Sequence, residues 1–327
     1  MSSVIGPFSY LLFDRLLASD VELALLRPYP IGVTEIKPAL SLTMSSIPVT
    51  PHGEVLLDTP GDPTRILWDG VRTYFHFNST HFVAVVEEDG LTISLHPHAD
   101  KPRSAQEIDR EKLGDRLVTT VLSRLPIMWG TPSVHGATLS WAEGSVVLVG
   151  TSGVGKSTVS QHLVRDHGAT LHDDDTALIE WESGQLEPIP MGGAPRLRRD
   201  AAQNLEIEGR TLPGFSGGKV ALAQEPPLSL PDVPPMRVVC EIVSLSEVAS
   251  EHTIAPAPKL EIIEPVCAIP EAWKHVFTTN LSTDQTRLRF GLSHKMASVP
   301  YARISYLRGA HQPHHVSDAI RNYFASQ

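Results

Sequence analysis

Along the first hundred residues, short apolar runs alternate with turn signals. Val21 to Leu26, Ala39 to Met44, Val55 to Leu57, Tyr74 to Phe77 and Phe82 to Val86 read as strands and hairpins. The clearest pair is Phe82 to Val86 and Leu91 to Leu95, joined through Asp89-Gly90, a dipeptide suited to a tight hairpin turn. After Pro102 the period lengthens. Ser104 and Glu107 have capping-box spacing, and Leu113, Leu117, Val118, Val121, Leu122 and Leu125 recur at helical intervals. This predicts an amphipathic helix ended by Pro126, with Gly130-Thr131-Pro132 as the turn that follows. The expected organisation is a β-rich accessory domain over residues 1–125 that closes with this helix, and a second domain over 126–327.

In the second domain the order is strand, loop, helix, strand, an α/β pattern. Val134 to Ser140 and Ser145 to Val149 read as strands, 157–166 as a helix and Ala177 to Trp181 as a strand. A proline-rich stretch, Glu225 to Pro235, separates these from a strand at Val238 to Leu245. A helix from Glu271, another over Asp284 to Ala297, a strand at Ala302 to Leu307 and a terminal helix from Ser317 to Phe324 complete the pattern. No internal repeat is visible.

Composition narrows the class. A chain of 327 residues favours two domains, and 41% hydrophobic with 20% charged residues is ordinary for a soluble globular protein. A net charge of −10 argues against nucleic acid as the main partner, because that recognition needs basic faces. No apolar run is long enough to span a membrane, and the N-terminus has no basic segment followed by a small-residue cleavage site, so a cytoplasmic location is expected. Cys240 and Cys267 lack metal or redox spacing and are expected to be reduced and structural.

The chemistry centres on VVLVGTSGVGKST, residues 146–158. Four apolar residues lead into Gly150-Thr151-Ser152-Gly153-Val154-Gly155-Lys156-Ser157-Thr158, which satisfies G-x-x-x-x-G-K-[ST] between a strand and a helix. Glycines let the backbone curl around phosphate, the helix N-terminus favours anions, Lys156 places charge on the β and γ oxygens, and the Ser157 hydroxyl can ligate Mg²⁺. The competing reading is a glycine-rich turn with a solvated lysine. Beyond the helix, His172-Asp173-Asp174-Asp175-Thr176 concentrates carboxylates where a strand begins. If that strand lies beside the loop strand, one acid can hold Mg²⁺ and another can accept a hydroxyl proton; an acidic turn capping a strand is the alternative. GAHQPHHV, with His311, His314 and His315, reads as a polar turn before a helix, with a metal site as the alternative.

VHGATLSWAEGSVVLVG, GTSGVGKST, VSQHLVRDHGA and HDDDTALI, in that order, resemble the catalytic domain of HPr kinase/phosphorylase and its relatives, including kinases of lasso-peptide biosynthesis. The resemblance covers about residues 126–327 and implies a P-loop kinase core of the HPr kinase/PEP carboxykinase type. It assigns Asp174 as base or acid and Asp175 as a Mg²⁺ ligand, with Asp173 replacing a residue that is usually small. His135 corresponds to a histidine near the phosphates, although a structural hydrogen-bonder is the bland reading. Glu206, in LEIEGR, is the nearest match to a metal-site carboxylate, with Glu208 where the family has arginine. Arg196 and Arg198 suit recognition of phosphate or carboxylate, or are solvated surface arginines.

The expectation is therefore an ATP- and Mg²⁺-dependent kinase that phosphorylates a hydroxyl, with a serine of a peptide or small protein as acceptor. A sugar or metabolite kinase, and a nucleotide-dependent regulatory module without transfer, are the alternatives. No membrane partner is expected, and the resemblance is compatible with a homo-oligomer.

Overall fold

The computed structural model describes residues 8–13, 15–23, 26, 40–58, 64–77, 82–100, 110–182, 184–193, 195–207, 209–211, 219–222, 233–245, 257–278, 282–307 and 311–327. The Ser104/Glu107 cap and most of Glu225 to Pro235 lie outside the described residues.

Short apolar runs build the first sheet. Its strands are β1 (Phe8–Leu12), β2 (Arg15–Ser19), β3 (Leu40–Met44), β4 (Glu54–Asp58), β5 (Thr64–Trp68), β6 (Thr73–Phe77), β7 (Phe82–Val86) and β8 (Thr92–Pro97), in the order β1-β2-β3-β8-β7-β6-β5-β4. The β7–β8 hairpin turns at Gly90, whose φ of 66° is the left-handed conformation its sequence announced. The described part of the Val21 to Leu26 run, residues 21–23 and 26, is not in a strand. Side chains hold this segment's backbone: Ser19 Oγ donates to the Val21 carbonyl at 2.7 Å, and the Leu23 N–H donates to Tyr10 Oη at 2.7 Å.

A helical stretch covers this sheet. It starts as α1 (Arg110–Arg116), passes through a π-helical turn over Leu117–Val121 and continues as a 3₁₀ segment over Leu122–Trp129. Leu113, Leu117, Val118, Val121, Leu122 and Leu125 are all buried in one cluster with Phe75, Ile93 and Leu95. Pro126 does not end the stretch, because it sits inside the tightened 3₁₀ segment with Leu125 and Ile127 packed on either side. Gly130, at φ 84°, ends it.

The second sheet surrounds the glycine-rich loop. It contains β9 (Ser133–Trp141), β10 (Gly144–Val149), β11 (Thr170–Asp173), β12 (Thr176–Glu182) and β13 (Gln185–Pro190). A separate three-stranded sheet follows, made of β14 (Arg196–Arg198), β15 (Gly209–Thr211) and β16 (Lys219–Leu222). The large sheet resumes with β17 (Met236–Leu245), β18 (Lys259–Ile263) and β19 (Tyr301–Leu307), giving the order β13-β12-β9-β10-β17-β19-β18 with β11 also on β9. The helices are α2 (Lys156–His167), α3 (Arg199–Asn204), α4 (Pro265–Trp273), α5 (Thr283–Met296) and α6 (Pro313–Ala325).

The unbroken apolar run of β10 has a physical cause, since both its faces are covered. Val146 and Leu148 pack with Leu163 of α2 and Ile320 and Phe324 of α6, while Val147 and Val149 pack with Ala268 of α4 and Met296 of α5. The result is a mixed α/β architecture with large sheets. β10, β17 and β19 run parallel, so their carboxyl ends meet at one edge.

Two helix boundaries differ from expectation. α4 begins at Pro265 and ends at Trp273, so Glu271 lies in its last turn. Pro265 fits the first helical position, and the loss of an N–H at Pro270 is offset by burial of Ala268 and Ala272. α6 starts at Pro313 for the same reason, capped by Gln312 and His315. Cys240 is buried; Cys267 is exposed on α4 and so does not contribute to the core. Among the described residues, no helix is long and apolar enough to cross a membrane.

Candidate functional site

β10 delivers the chain into the loop at a position that excludes a side chain. Gly150 has φ 151°, and a Cβ there would sit 2.6 Å from the Ile242 carbonyl oxygen of β17. Gly155, at φ 100°, ends the loop and starts α2 without any side-chain cap. Helix N-termini of this kind favour anions. Tyr306, from β19, donates its hydroxyl to the Val154 carbonyl at 2.6 Å and ties the loop to the sheet.

Lys156 is buried beneath this turn. Its Nζ donates to the Gly150 carbonyl at 2.8 Å and lies 3.2 Å from His135 Nε2. On the other side of the ring, His135 Nδ1 is 3.0 Å from the Asp175 carbonyl oxygen. A carbonyl can only accept, so Nδ1 carries the proton and Nε2 accepts from Lys156. Burial pushes the imidazole down to about 4; nearby Asp175 opposes that shift and Lys156 adds to it. The ring is neutral at pH 7.

β11 and β12 both pair with β9, and the chain bends between them at Asp174 and Asp175. Asp173 organises the bend. Its Oδ1 accepts the amides of Asp175 and Thr176 at 3.0 and 3.2 Å, and its Oδ2 accepts the Gly193 amide at 3.2 Å. Burial and then the Asp174 carboxylate push its carboxyl up to about 7, against the pull of these three amides. Asp174 Oδ2 accepts the Arg196 backbone N–H at 2.7 Å, and Arg196 Nη2 pairs with Asp175 Oδ2 at 2.6 Å. Arg196 is buried. Burial alone would lower its pKa, but Asp175 and Asp174 together hold it above the ordinary arginine value.

A cavity of about 730 Å³ receives these groups together. His135, Ser152, Gly153, Gly155, Lys156, Ser157, Thr158, Asp174, Asp175, Arg196 and Arg198 all line it. Gly150, Thr151 and Val154 face a neighbouring cavity, on which His135, Ser152 and Gly153 also border.

No family model matches the chain, and no curated protein matches it. Among solved structures, the Hpr(Ser) kinase/phosphatase from Coxiella burnetii is similar over 59% of this chain and 91% of that chain. The sequence identity is 16% and the TM-score 0.28. That likeness is distant.

Not every candidate residue joins the site. Glu206 is exposed just past α3, at φ 54°, does not line the cavity, and exerts its charge on Arg165 near the far end of α2. Arg196 braces the aspartates, whereas Arg198 is exposed on the cavity rim, 3.5 Å from Asp200. His311 lines the cavity, and its Nδ1 accepts the Leu307 amide at 3.0 Å. Among the described residues, no group of three or more His, Cys, Asp or Glu side chains is arranged to hold a metal by itself. Ser157, Asp174 and Asp175 offer hard oxygen donors, a set suited to Mg²⁺ completed by phosphate oxygens and water. Tyr306 and the bracing role of Arg196 had no signature in the sequence, because each acts through a contact made between segments far apart in the chain.

Proposed function

We propose that the protein is an ATP- and Mg²⁺-dependent kinase that transfers a γ-phosphoryl group to a hydroxyl, with a serine of a peptide or small protein as the acceptor. The observation that carries this reading is the continuous chain Lys156–His135–Asp175–Arg196–Asp174, which joins the anion-binding turn to two carboxylates on one cavity. A nucleotide-holding loop alone has no use for a second carboxylate next to the phosphates.

In this reading the amides at the start of α2 and the Lys156 ammonium bind the triphosphate and stabilise charge on the γ-phosphoryl oxygens. Ser157 and Asp175 would hold Mg²⁺, which when bound would supply positive charge against the phosphates. Asp174 accepts the proton of the acceptor hydroxyl as its oxygen bonds to the γ-phosphorus; the bond from that phosphorus to the bridging oxygen breaks, and ADP leaves. Neutral His135 orients Lys156 and is not a nucleophile.

The test uses ATP labelled in the γ-phosphate with a panel of seryl peptides and a panel of sugars and metabolites. Label in peptide supports the reading, and label only in a metabolite moves the acceptor class. Nucleotide binding without any transfer would assign a regulatory module instead. Lys156→Ala should lower transfer by about 100-fold or more.

A further inference from the structure

The first sheet reaches the aspartate bend. β13 ends at Pro190, opposite Ala177 of β12, and the chain then runs through Met191, Gly192 and Gly193 towards Arg196. Met191 and Leu178 of β12 are buried in the apolar cluster of the first sheet, together with Tyr10, Leu12 and Phe13. The main chain is held as well. Phe13 donates its N–H to the Met191 carbonyl at 3.3 Å, and Leu26 forms an antiparallel bridge with Gly193. Between these two contacts the approach is close: Gly192 has φ 86°, and a Cβ there would stand 2.7 Å from the Leu11 carbonyl oxygen. Phe13 makes its contact from φ 58°, a left-handed conformation that costs energy for a bulky side chain.

The same segment bears on the transfer site. The Gly193 amide donates to Asp173 Oδ2 at 3.2 Å, while Asp173 Oδ1 accepts the amides of Asp175 and Thr176. Three residues further on, the Arg196 amide donates to Asp174 Oδ2 at 2.7 Å, and the Arg196 guanidinium pairs with Asp175. Met191 to Gly193 belong to no helix or strand apart from the single bridge, so their backbone polar groups need partners from elsewhere. The first sheet supplies them on one side and Asp173 on the other.

We propose that the first sheet is part of the transfer site: through Met191, Gly192 and Gly193 it sets where the Asp174 and Asp175 carboxylates stand relative to the anion-binding turn. Met191 and Gly192 are positioning residues, which act through Asp173 and Arg196. The effect on turnover rests on the kinase reading given above; the effect on the bend rests on the contacts alone. The phosphate-gripping turn is held separately, by Gly150 against β17 and by Tyr306 of β19. Loosening the first-sheet contact therefore moves the carboxylates and leaves nucleotide binding in place. A displacement of about 1 Å in a reacting group can cost on the order of 100-fold in rate, so the signature is a loss of kcat without a loss of nucleotide affinity.

The experiment uses the full chain. Met191→Ala opens space in the anchoring contact, and Gly192→Ala forces the segment away from Leu11; either suffices should the other fail to fold. Ile66→Ala removes a buried side chain from β5, near the opposite edge of the same sheet, and serves as the control. Circular dichroism and urea unfolding select the folded variants. With γ-labelled ATP and pooled seryl peptides, Met191→Ala and Gly192→Ala should each lose about 10-fold or more in kcat, while affinity for a fluorescent ATP analogue stays within about twofold. Ile66→Ala should keep kcat within about twofold, and Met191→Leu, which refills the space, should restore most of the loss. Hydrogen exchange gives a readout that needs no turnover. The amides of Asp175, Thr176 and Arg196, measured against amides of α2, should exchange about 10-fold or more faster in Met191→Ala and Gly192→Ala but not in Ile66→Ala. An equal kcat loss in Ile66→Ala, an unchanged kcat in a folded Met191→Ala or Gly192→Ala, or unmoved exchange at the bend would each overturn the positioning role. If the wild type binds nucleotide but labels no peptide, the kinase reading falls instead, and the exchange comparison alone decides whether the first sheet holds the bend.

Discussion

Lys156 Nζ donates to His135 Nε2 across 3.2 Å, and the imidazole can accept because its own Nδ1–H is spent on the Asp175 carbonyl at 3.0 Å. A proton on Nε2 would break this bond and set two cations against each other. The pair therefore works only while His135 is neutral, which burial secures by lowering its pKa from 6.5 to about 4.

That shift makes a prediction about pH. The unfolded chain takes up a proton at His135 below about 6.5, and the folded chain does so only near 4. The contribution of the neutral ring is thus complete above about 6.5 and is lost as the pH falls towards 4. Asp173, raised from 3.8 to about 7, acts in the opposite sense: it stabilises at low pH and its contribution declines as the pH rises through 7. Comparing wild type with His135→Asn isolates the histidine, since asparagine can still donate to the Asp175 carbonyl. Urea unfolding should show the stability difference between the two shrinking from pH 7 to pH 4.5. A difference independent of pH would remove the neutral-imidazole account.

Arg196 is expected to be a bracing residue whose loss costs stability first. Its guanidinium is buried against Asp175 Oδ2 at 2.6 Å, and its removal leaves two adjacent carboxylates, Asp174 and Asp175, without their cation. Arg196→Ala should destabilise the fold by about 3–5 kcal/mol in urea unfolding. Arg196→Lys should recover only part of this, because one ammonium cannot reproduce the reach of the planar fork.

Gly150 offers a test of loop geometry. A Cβ at this position meets the Ile242 carbonyl at 2.6 Å and requires a φ near 151°, so alanine must displace either the loop or β17. Gly150→Ala should cost about 1–3 kcal/mol. It should also weaken nucleotide binding, because the same residue supplies the carbonyl that holds Lys156. Titration with a fluorescent ATP analogue reads the second effect.

The parts of this site that could be read from the sequence are the contiguous ones. Gly150 to Thr158 is a local device whose strand, turn and helix are adjacent in the chain, and Asp173 to Asp175 stand side by side. The unbroken apolar run of β10 is equally local, although its two covering layers come from α2 and α6 on one side and α4 and α5 on the other. What could not be read depends on long-range register. Arg303 meets Glu241 from 62 residues away because β17 and β19 pair in parallel, and Arg196 reaches the aspartates through β14. Val21 to Leu23 misled for the converse reason, since the apolar pattern suits a strand while Ser19 and Tyr10 hold the backbone at Val21 and Leu23. Glu206 is the nearest match in LEIEGR to a carboxylate that the resemblance implies, and it lies in a left-handed turn after α3 where its charge acts on Arg165.

Metal dependence separates Asp175 from Glu206. Ser157 and Asp175 line one cavity with Lys156, whereas Glu206 is exposed near the opposite end of α2. A Mg²⁺ titration of phosphoryl transfer at saturating ATP should therefore be unmoved, within about twofold, by Glu206→Gln. Asp175→Asn should raise the half-saturating Mg²⁺ concentration by about 10-fold or more. Asp175→Asn also removes the partner of Arg196, so circular dichroism and urea unfolding must first establish that the variant is folded. In a folded Asp175→Asn protein, loss of turnover that higher Mg²⁺ restores marks a metal ligand; loss that no Mg²⁺ concentration restores marks a residue that acts on the transferred group itself. A shift of the Mg²⁺ midpoint by Glu206→Gln would return that carboxylate to the metal site and require α3 to move against α2 during turnover.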